Sequence, residues 1–153
     1  MEHPKDKGDV TTLAVMLALR GCGYVVLVPF GENSRYDLVI DDGSTLAKVQ
    51  CKTGRLRSGA VRWNVCSNYF HHPNPRFRTR DYHGEVDFFG VYCRETNAVY
   101  LVPIAHLGLA RATASIRVEP AKNGQRKLIR HAAQYEIGRI NMDAPQIALR
   151  LVN

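Results

Sequence analysis

The stretch that most constrains the fold is "RYDLVIDDGSTLAKVQCKTGR", residues Arg35 to Arg55. Tyr36 to Ile40 is short, apolar and β-branched. Asp41-Asp42-Gly43 is a turn signal, and Thr45 to Lys52 alternates in polarity, which together predict a β-hairpin. On its second strand Leu46, Lys48, Gln50 and Lys52 share one face, and Thr45, Ala47, Val49 and Cys51 share the other. Gln50 and Lys52 are then neighbours roughly 6–7 Å apart along the strand. Folding back at Asp42-Gly43 brings Asp37 alongside them. A carboxylate, a carboxamide oxygen and an ammonium therefore converge at one end of the hairpin. The two oxygens suit a hard cation such as Mg²⁺. The lysine suits a reacting water or a phosphate charge. Turn chemistry alone explains Asp41 and Asp42, so they are not read as a paired-carboxylate site.

The surrounding chain reads as one domain, residues 1–153, with no repeat or linker to divide it. The amino terminus "MEHPKDKGD" is polar and charged, and no apolar run reaches transmembrane length. A cytoplasmic protein that is not secreted and has no membrane partner is expected. Cys22, Cys51, Cys66 and Cys93 show no CxxC spacing and read as reduced residues. Neither GxGxxG nor GxxxxGK[ST] occurs, so no nucleotide cofactor is expected.

Charge is unevenly placed. Residues 1–50 hold five Lys/Arg and seven Asp/Glu. Cys51 to Arg80 then holds seven basic residues and no acid: Lys52, Arg55, Arg57, Arg62, Arg76, Arg78 and Arg80. Lys122, Arg126, Lys127 and Arg130 form a second run without an acid. An acid-free basic stretch that begins at the candidate-site lysine points to a polyanion, and arginine forks suit phosphate and guanine. His71 and His72 lie in the same stretch, but without a His-Asn-His spacing or a cysteine partner they carry no metal chemistry.

The remaining elements are coarse. Asp9 to Arg20 predicts a helix, with Val10, Leu13, Ala14, Leu17 and Ala18 at helical spacing. Tyr24 to Pro29 reads as a buried strand and Ala60 to Cys66 as a further one. Ser67 to Gly84, with interleaved basic, aromatic and proline residues, reads as a long loop. Val86 to Cys93 and Ala98 to Ile104 predict two strands joined by "RETN", and Thr113 to Glu119 another. Lys127 to Tyr135 reads as a second helix, and the tail from Asn141 has no assignment. The fold class expected is α/β (α+β), a mixed central sheet flanked by helices.

Helix, strand, Asp37, hairpin and Gln50-x-Lys52 resemble the core of PD-(D/E)XK nucleases, the restriction-endonuclease-like fold. The segments "PFGENSRYDLVIDDG", "VQCKTGR", "HGEVDFFGVYC", "AVYLVPI" and "EPAKNGQRKLIRHAAQY" most resemble the branch of group I intron-encoded homing endonucleases and related bacterial and phage proteins. The likeness runs from about Gly8 to Tyr135. It implies Mg²⁺-dependent hydrolysis of phosphodiester bonds in double-stranded DNA, with Mn²⁺ as a substitute ion. Asp37 falls at the family's metal-binding aspartate and Lys52 at its catalytic lysine. Gln50 stands where most members have Asp or Glu, a variant typical of this branch. The Cys51 backbone carbonyl would complete the metal set. Relatives often carry a Glu on the first helix, and Thr12 stands there instead. Asp9, one turn earlier, is the candidate replacement, beside its ordinary role as a first-turn acid. Arg35, Arg55 and Arg57 would grip phosphates. Arg62, Asn64, Arg76, Arg78 and Arg80 would read bases, with Lys122, Arg126 and Lys127 adding to the DNA surface. One such site cuts one strand, which implies a homo-oligomer, dimer or tetramer. A resolvase acting on branched DNA and a DNA-binding module without activity are the alternatives.

Overall fold

The structure is a computed structural model that describes residues 3–69, 78–108, 112–124, 127 and 129–142. Helix α1 (Pro4–Gly21) begins a turn before the sequence suggests. His3 caps it through Nδ1, which accepts from the Lys5 N–H, and Pro4 supplies a ready-made first-turn φ. The apolar stripe read from the sequence is rotated. Ala14, Val15, Ala18 and Leu19 are buried, whereas Leu13 and Leu17 point to solvent at 58% and 59% exposure.

Small residues explain the choice of face, because they let the helix lie flush on the sheet. A Cβ placed on Gly90 of the sheet would sit 2.6 Å from Val15 Cγ1 and 3.2 Å from Val49 Cγ1. Gly90→Ala should therefore overpack this seam and cost about 1–3 kcal/mol. Urea or thermal melts check this, and an unchanged midpoint would mean that the helix does not sit this close.

The hairpin forms as expected. β2 (Leu38–Asp41) pairs antiparallel with β3 (Leu46–Arg57), with Leu38 opposite Val49. At the turn Asp42 Oδ1 accepts from the N–H of Ser44 and of Thr45, at 2.9 and 2.7 Å, and these bonds hold its carboxyl below the usual range. β1 (Val25–Leu27) is shorter than the strand expected and lies at the sheet edge beside β2, with Val25 and Leu27 exposed.

β3 continues to Arg57 and turns at Ser58-Gly59, both at positive φ (48° and 73°), into β4 (Ala60–Asn64). β5 (Cys66–Tyr69) and β6 (Arg78–Asp81) form a separate two-stranded ribbon. The ribbon corrects the expectation of an unbroken loop over Ser67 to Gly84: paired backbone stands at both ends of that segment. β7 (Phe88–Cys93) runs parallel to β3, and β8 (Ala98–Pro103) returns antiparallel beside it. β9 (Thr113–Arg117) pairs with β4, and β10 (Glu136–Arg139) pairs with β8. The main sheet runs β1-β2-β3-β7-β8-β10, with β4 and β9 curling from the end of β3.

The second flanking helix does not form within the described residues. Among the described residues of Lys127 to Tyr135 the chain makes a 3₁₀ turn, Ala132–Gln134. The Arg130 carbonyl is taken by the Arg117 N–H at 2.7 Å, and His131 bridges Arg117, so this backbone serves β9 instead. One face of the sheet is covered by α1. The other is covered by β4 and β9, over a core that includes Val61, Trp63, Tyr82, Phe89, Val91, Val102 and Ile116.

Backbone parity on β3 creates one further feature. Asp37 N–H bonds Val49 O at 2.9 Å, so the backbone groups of odd-numbered β3 residues face β2. In a two-residue hairpin the residues flanking the turn, here Arg57 and Ala60, form the closing hydrogen-bonded pair. Arg57 is also odd, so β4 joins the same edge that β2 has left. Pairing with β2 ends at Val49 and pairing with β4 begins at Arg55. Between them Gln50 to Gly54 face a fork, while β7 lines their other edge.

Candidate active site

Asp37 stands at the mouth of this fork. It directly precedes Leu38, which pairs with Val49; its N–H bonds Val49 O at 2.9 Å and its Oδ2 accepts from Cys51 N–H at 2.8 Å, on either side of Gln50. The Cys51 carbonyl points from the same edge as its N–H, and hence toward Asp37. Gln50 and Lys52 are half-buried on the β3 face that looks away from α1. Asp37, Gln50, Cys51 and Lys52, chosen from sequence, are thus brought together.

The electrostatics of Asp37 are mixed. Burial pushes its carboxyl above the ordinary value of 3.8, and the Cys51 N–H and the Lys52 charge pull it back. Burial and the Asp37 carboxylate together push the Cys51 thiol up, so it stays protonated at neutral pH. Any ligand from Cys51 is therefore its carbonyl oxygen, not its sulfur. The thiol meets the Thr12 hydroxyl, and Thr11 Oγ1 lies 2.6 Å from Thr53 Oγ1. The first turns of α1 are thereby fixed against β3, and position 12 lies beside the fork. Asp9 is exposed on that helix, and Lys52 is the one side-chain charge, among the described residues, that acts on Asp37. Among the described residues no group of three His, Cys, Asp or Glu side chains could hold a metal. Asp37 is the single acid at the fork among those residues, joined by neutral oxygens.

The basic residues divide. Arg55 and Arg62 are directly paired across β3 and β4, and with Arg57 and Asn64 they are exposed on one face. β6 carries Arg78 opposite Tyr69 and Arg80 opposite Ser67. Lys122 and Lys127 are exposed. Arg76, Arg126, His71 and His72 lie outside the described residues. Arg35 is turned inward: its Nε pairs with Glu85, and its Nη2 donates to the Asp81 carbonyl at 2.6 Å.

Tyr82 was not singled out from the sequence. It is 5% exposed, and its hydroxyl accepts from Lys52 Nζ at 3.2 Å. Its ring lies 4.2 Å from the Arg35 guanidinium carbon. The only sequence signal was the return of acids, Asp81 and Glu85, directly after the long basic stretch.

No curated protein matches the chain at a significant level. Among solved structures the chain is similar to a bacterial homing endonuclease, I-Ssp6803I. The identity is 25%, the TM-score is 0.69, and the match spans 88% of this chain and 89% of that one. The family model for PD-(D/E)XK endonuclease matches residues 2–138, a span holding all of β1 to β9 and every residue of the fork. The chain belongs to the PD-(D/E)XK endonuclease family.

Proposed function

We propose that this chain is a Mg²⁺-dependent endonuclease of the homing type, cutting double-stranded DNA at a specific sequence. The observation that carries the reading is the meeting of Asp37, Gln50, the Cys51 carbonyl and Lys52 at the fork. Nucleases of this family generally use divalent metals. The donors here fit one: a carboxylate whose burial leaves it short of positive charge, and neutral hard oxygens beside it. Asp37, Gln50 and the Cys51 carbonyl would hold the ion, which when bound supplies Lewis-acid polarisation of phosphate and an acidified water. Asp37 is kept in place by the Cys51 N–H, and Lys52 would orient the attacking water or stabilise charge developing on phosphate. Position 12 carries no acid, so Asp9 is the one helix-borne acid proposed to assist. Supporting residues are Arg55, Arg57, Arg62 and Asn64 on their shared face, with Arg78 and Arg80 on the neighbouring ribbon.

A double-strand cut needs two such sites, hence two or more copies, and exposed Leu13 and Leu17 on α1 offer apolar surface for that contact. Among the described residues no helix is long and apolar enough to cross a membrane.

Incubation of the protein and Mg²⁺ with supercoiled plasmid carrying the gene's own genomic neighbourhood tests the reading. A discrete cut is expected. Cleavage of four-way junctions without any cut in linear duplex would replace the homing reading with a resolvase.

DNA affinity should also fall steeply with salt. Each phosphate neutralised contributes a slope of about −0.9 in log affinity against log salt. Fluorescence anisotropy at graded NaCl checks this. A flat response would remove the Cys51–Arg80 stretch as the phosphate-binding surface.

A further inference from the structure

We infer that Tyr82 is the positioning residue for Lys52, and that Arg35 and Glu85 form the strut that fixes Tyr82. The inference rests on the nuclease reading of Lys52 and adds to it the means by which the ammonium is held.

A lysine at the end of four methylenes does not hold one position by itself. Here the ammonium has one bonded neighbour that defines its place, the Tyr82 hydroxyl at 3.2 Å. The phenol accepts from Lys52 and leaves its own O–H free to donate elsewhere. Lys52 Nζ lies 4.6 Å from the ring centroid, so the contact is made at the hydroxyl end of the ring.

The ring itself is fixed from two sides. Phe89 meets it edge-on at 5.6 Å and 87°. Arg35 lies 4.2 Å over it and is in turn pinned by Glu85 and the Asp81 carbonyl. These groups come from four separate parts of the chain: Arg35 just before β2, Lys52 in β3, Asp81 to Glu85 from the end of β6 onward, and Phe89 in β7. A tyrosine serving only as core filling would need no bond from the candidate-site lysine, and Phe89 would pack equally well against a phenylalanine. The bonded hydroxyl is what a merely structural role leaves unexplained.

Tyr82→Phe keeps the ring, the Phe89 contact and the face toward Arg35, and removes only the acceptor. Single-turnover cleavage should slow by about 10- to 100-fold, the usual loss when a supporting partner of an active group is removed. The DNA concentration for half-maximal rate and the melting midpoint should stay near wild type, which separates positioning from folding. A second readout is independent of cleavage: ¹³C relaxation of the Lys52 ε-carbon should show looser motion in Tyr82→Phe. Either a wild-type cleavage rate or unchanged relaxation in this variant overturns the proposal. A wild-type protein that cuts no DNA with Mg²⁺ or Mn²⁺ instead overturns the nuclease reading beneath it. Should Tyr82→Phe not fold, Glu85→Gln weakens the strut and leaves Tyr82 in place. It should loosen Lys52 and slow cleavage severalfold, and no change in both would equally overturn the proposal.

Discussion

Lys52→Ala should reduce cleavage by about 10²- to 10³-fold or more, the loss typical of removing one preorganised group that stabilises transition-state charge. DNA binding should survive. The ammonium is one positive charge among several, and Arg55, Arg57 and Arg62 stay exposed on the opposite face of β3, so its removal costs one phosphate contact. The slope of log affinity against log salt should become shallower by about 0.9. Gel-based cleavage and anisotropy titrations on the same preparation separate the two effects. Folding should be little affected, because Lys52 is half-buried and the Tyr82 ring keeps its Phe89 and Arg35 contacts. Cleavage at the wild-type rate would remove Lys52 from the active site.

Asp37→Asn should abolish cleavage to a similar degree while stabilising the metal-free fold at neutral pH. Burial raises the Asp37 carboxyl above its ordinary 3.8, so the folded chain binds that proton more tightly than the unfolded chain does. Below 3.8 both states are protonated and burial of the group carries no charge penalty. As pH rises through the folded value the carboxylate ionises in place, and stability is lost. That loss is the part that the substitution removes. The amide oxygen of the new side chain can still accept from Cys51 N–H, so the local hydrogen bond is kept. The melting midpoint of Asp37→Asn should therefore exceed wild type at neutral pH, and the gap should close as pH falls toward 4. A variant less stable than wild type at neutral pH would mean that the Lys52 charge, not burial, governs Asp37.

How far the sequence reveals this site depends on how local each contact is. The β2–β3 hairpin is legible because Asp42-Gly43 names its turn and the alternation of Thr45 to Lys52 names its faces. Those two facts alone bring Asp37 to the Val49–Cys51 stretch of β3. Extension of β3 to Arg57, and the fork it opens, depends on which edge β4 joins, and that follows from a turn at Ser58-Gly59 that has no strong signature. β5 and β6 were hidden because Cys-Ser-Asn-Tyr and Arg-Thr-Arg-Asp lack the apolar alternation by which strands are recognised. The Lys127 to Tyr135 segment looks helical by composition, yet its carbonyl at Arg130 is claimed by β9, a partner more than ten residues away. The rotated stripe of α1 has the same origin: Gly90 and Val49 on the sheet, not the helix's own periodicity, decide which face fits. Tyr82 and the inward turn of Arg35 were beyond reach because their contacts join residues 30 and 50 positions apart.

The most direct test of the central claim, that the fork between β2 and β4 is a divalent-metal centre, is the location of Mn²⁺ by paramagnetic broadening of backbone amide signals in the DNA-bound protein. The account predicts that Asp37, Gln50 and Cys51 broaden first and that Asp37→Asn abolishes the effect. Broadening centred on the Asp41-Asp42 turn or on Asp81 and Glu85, and unchanged in Asp37→Asn, would contradict it.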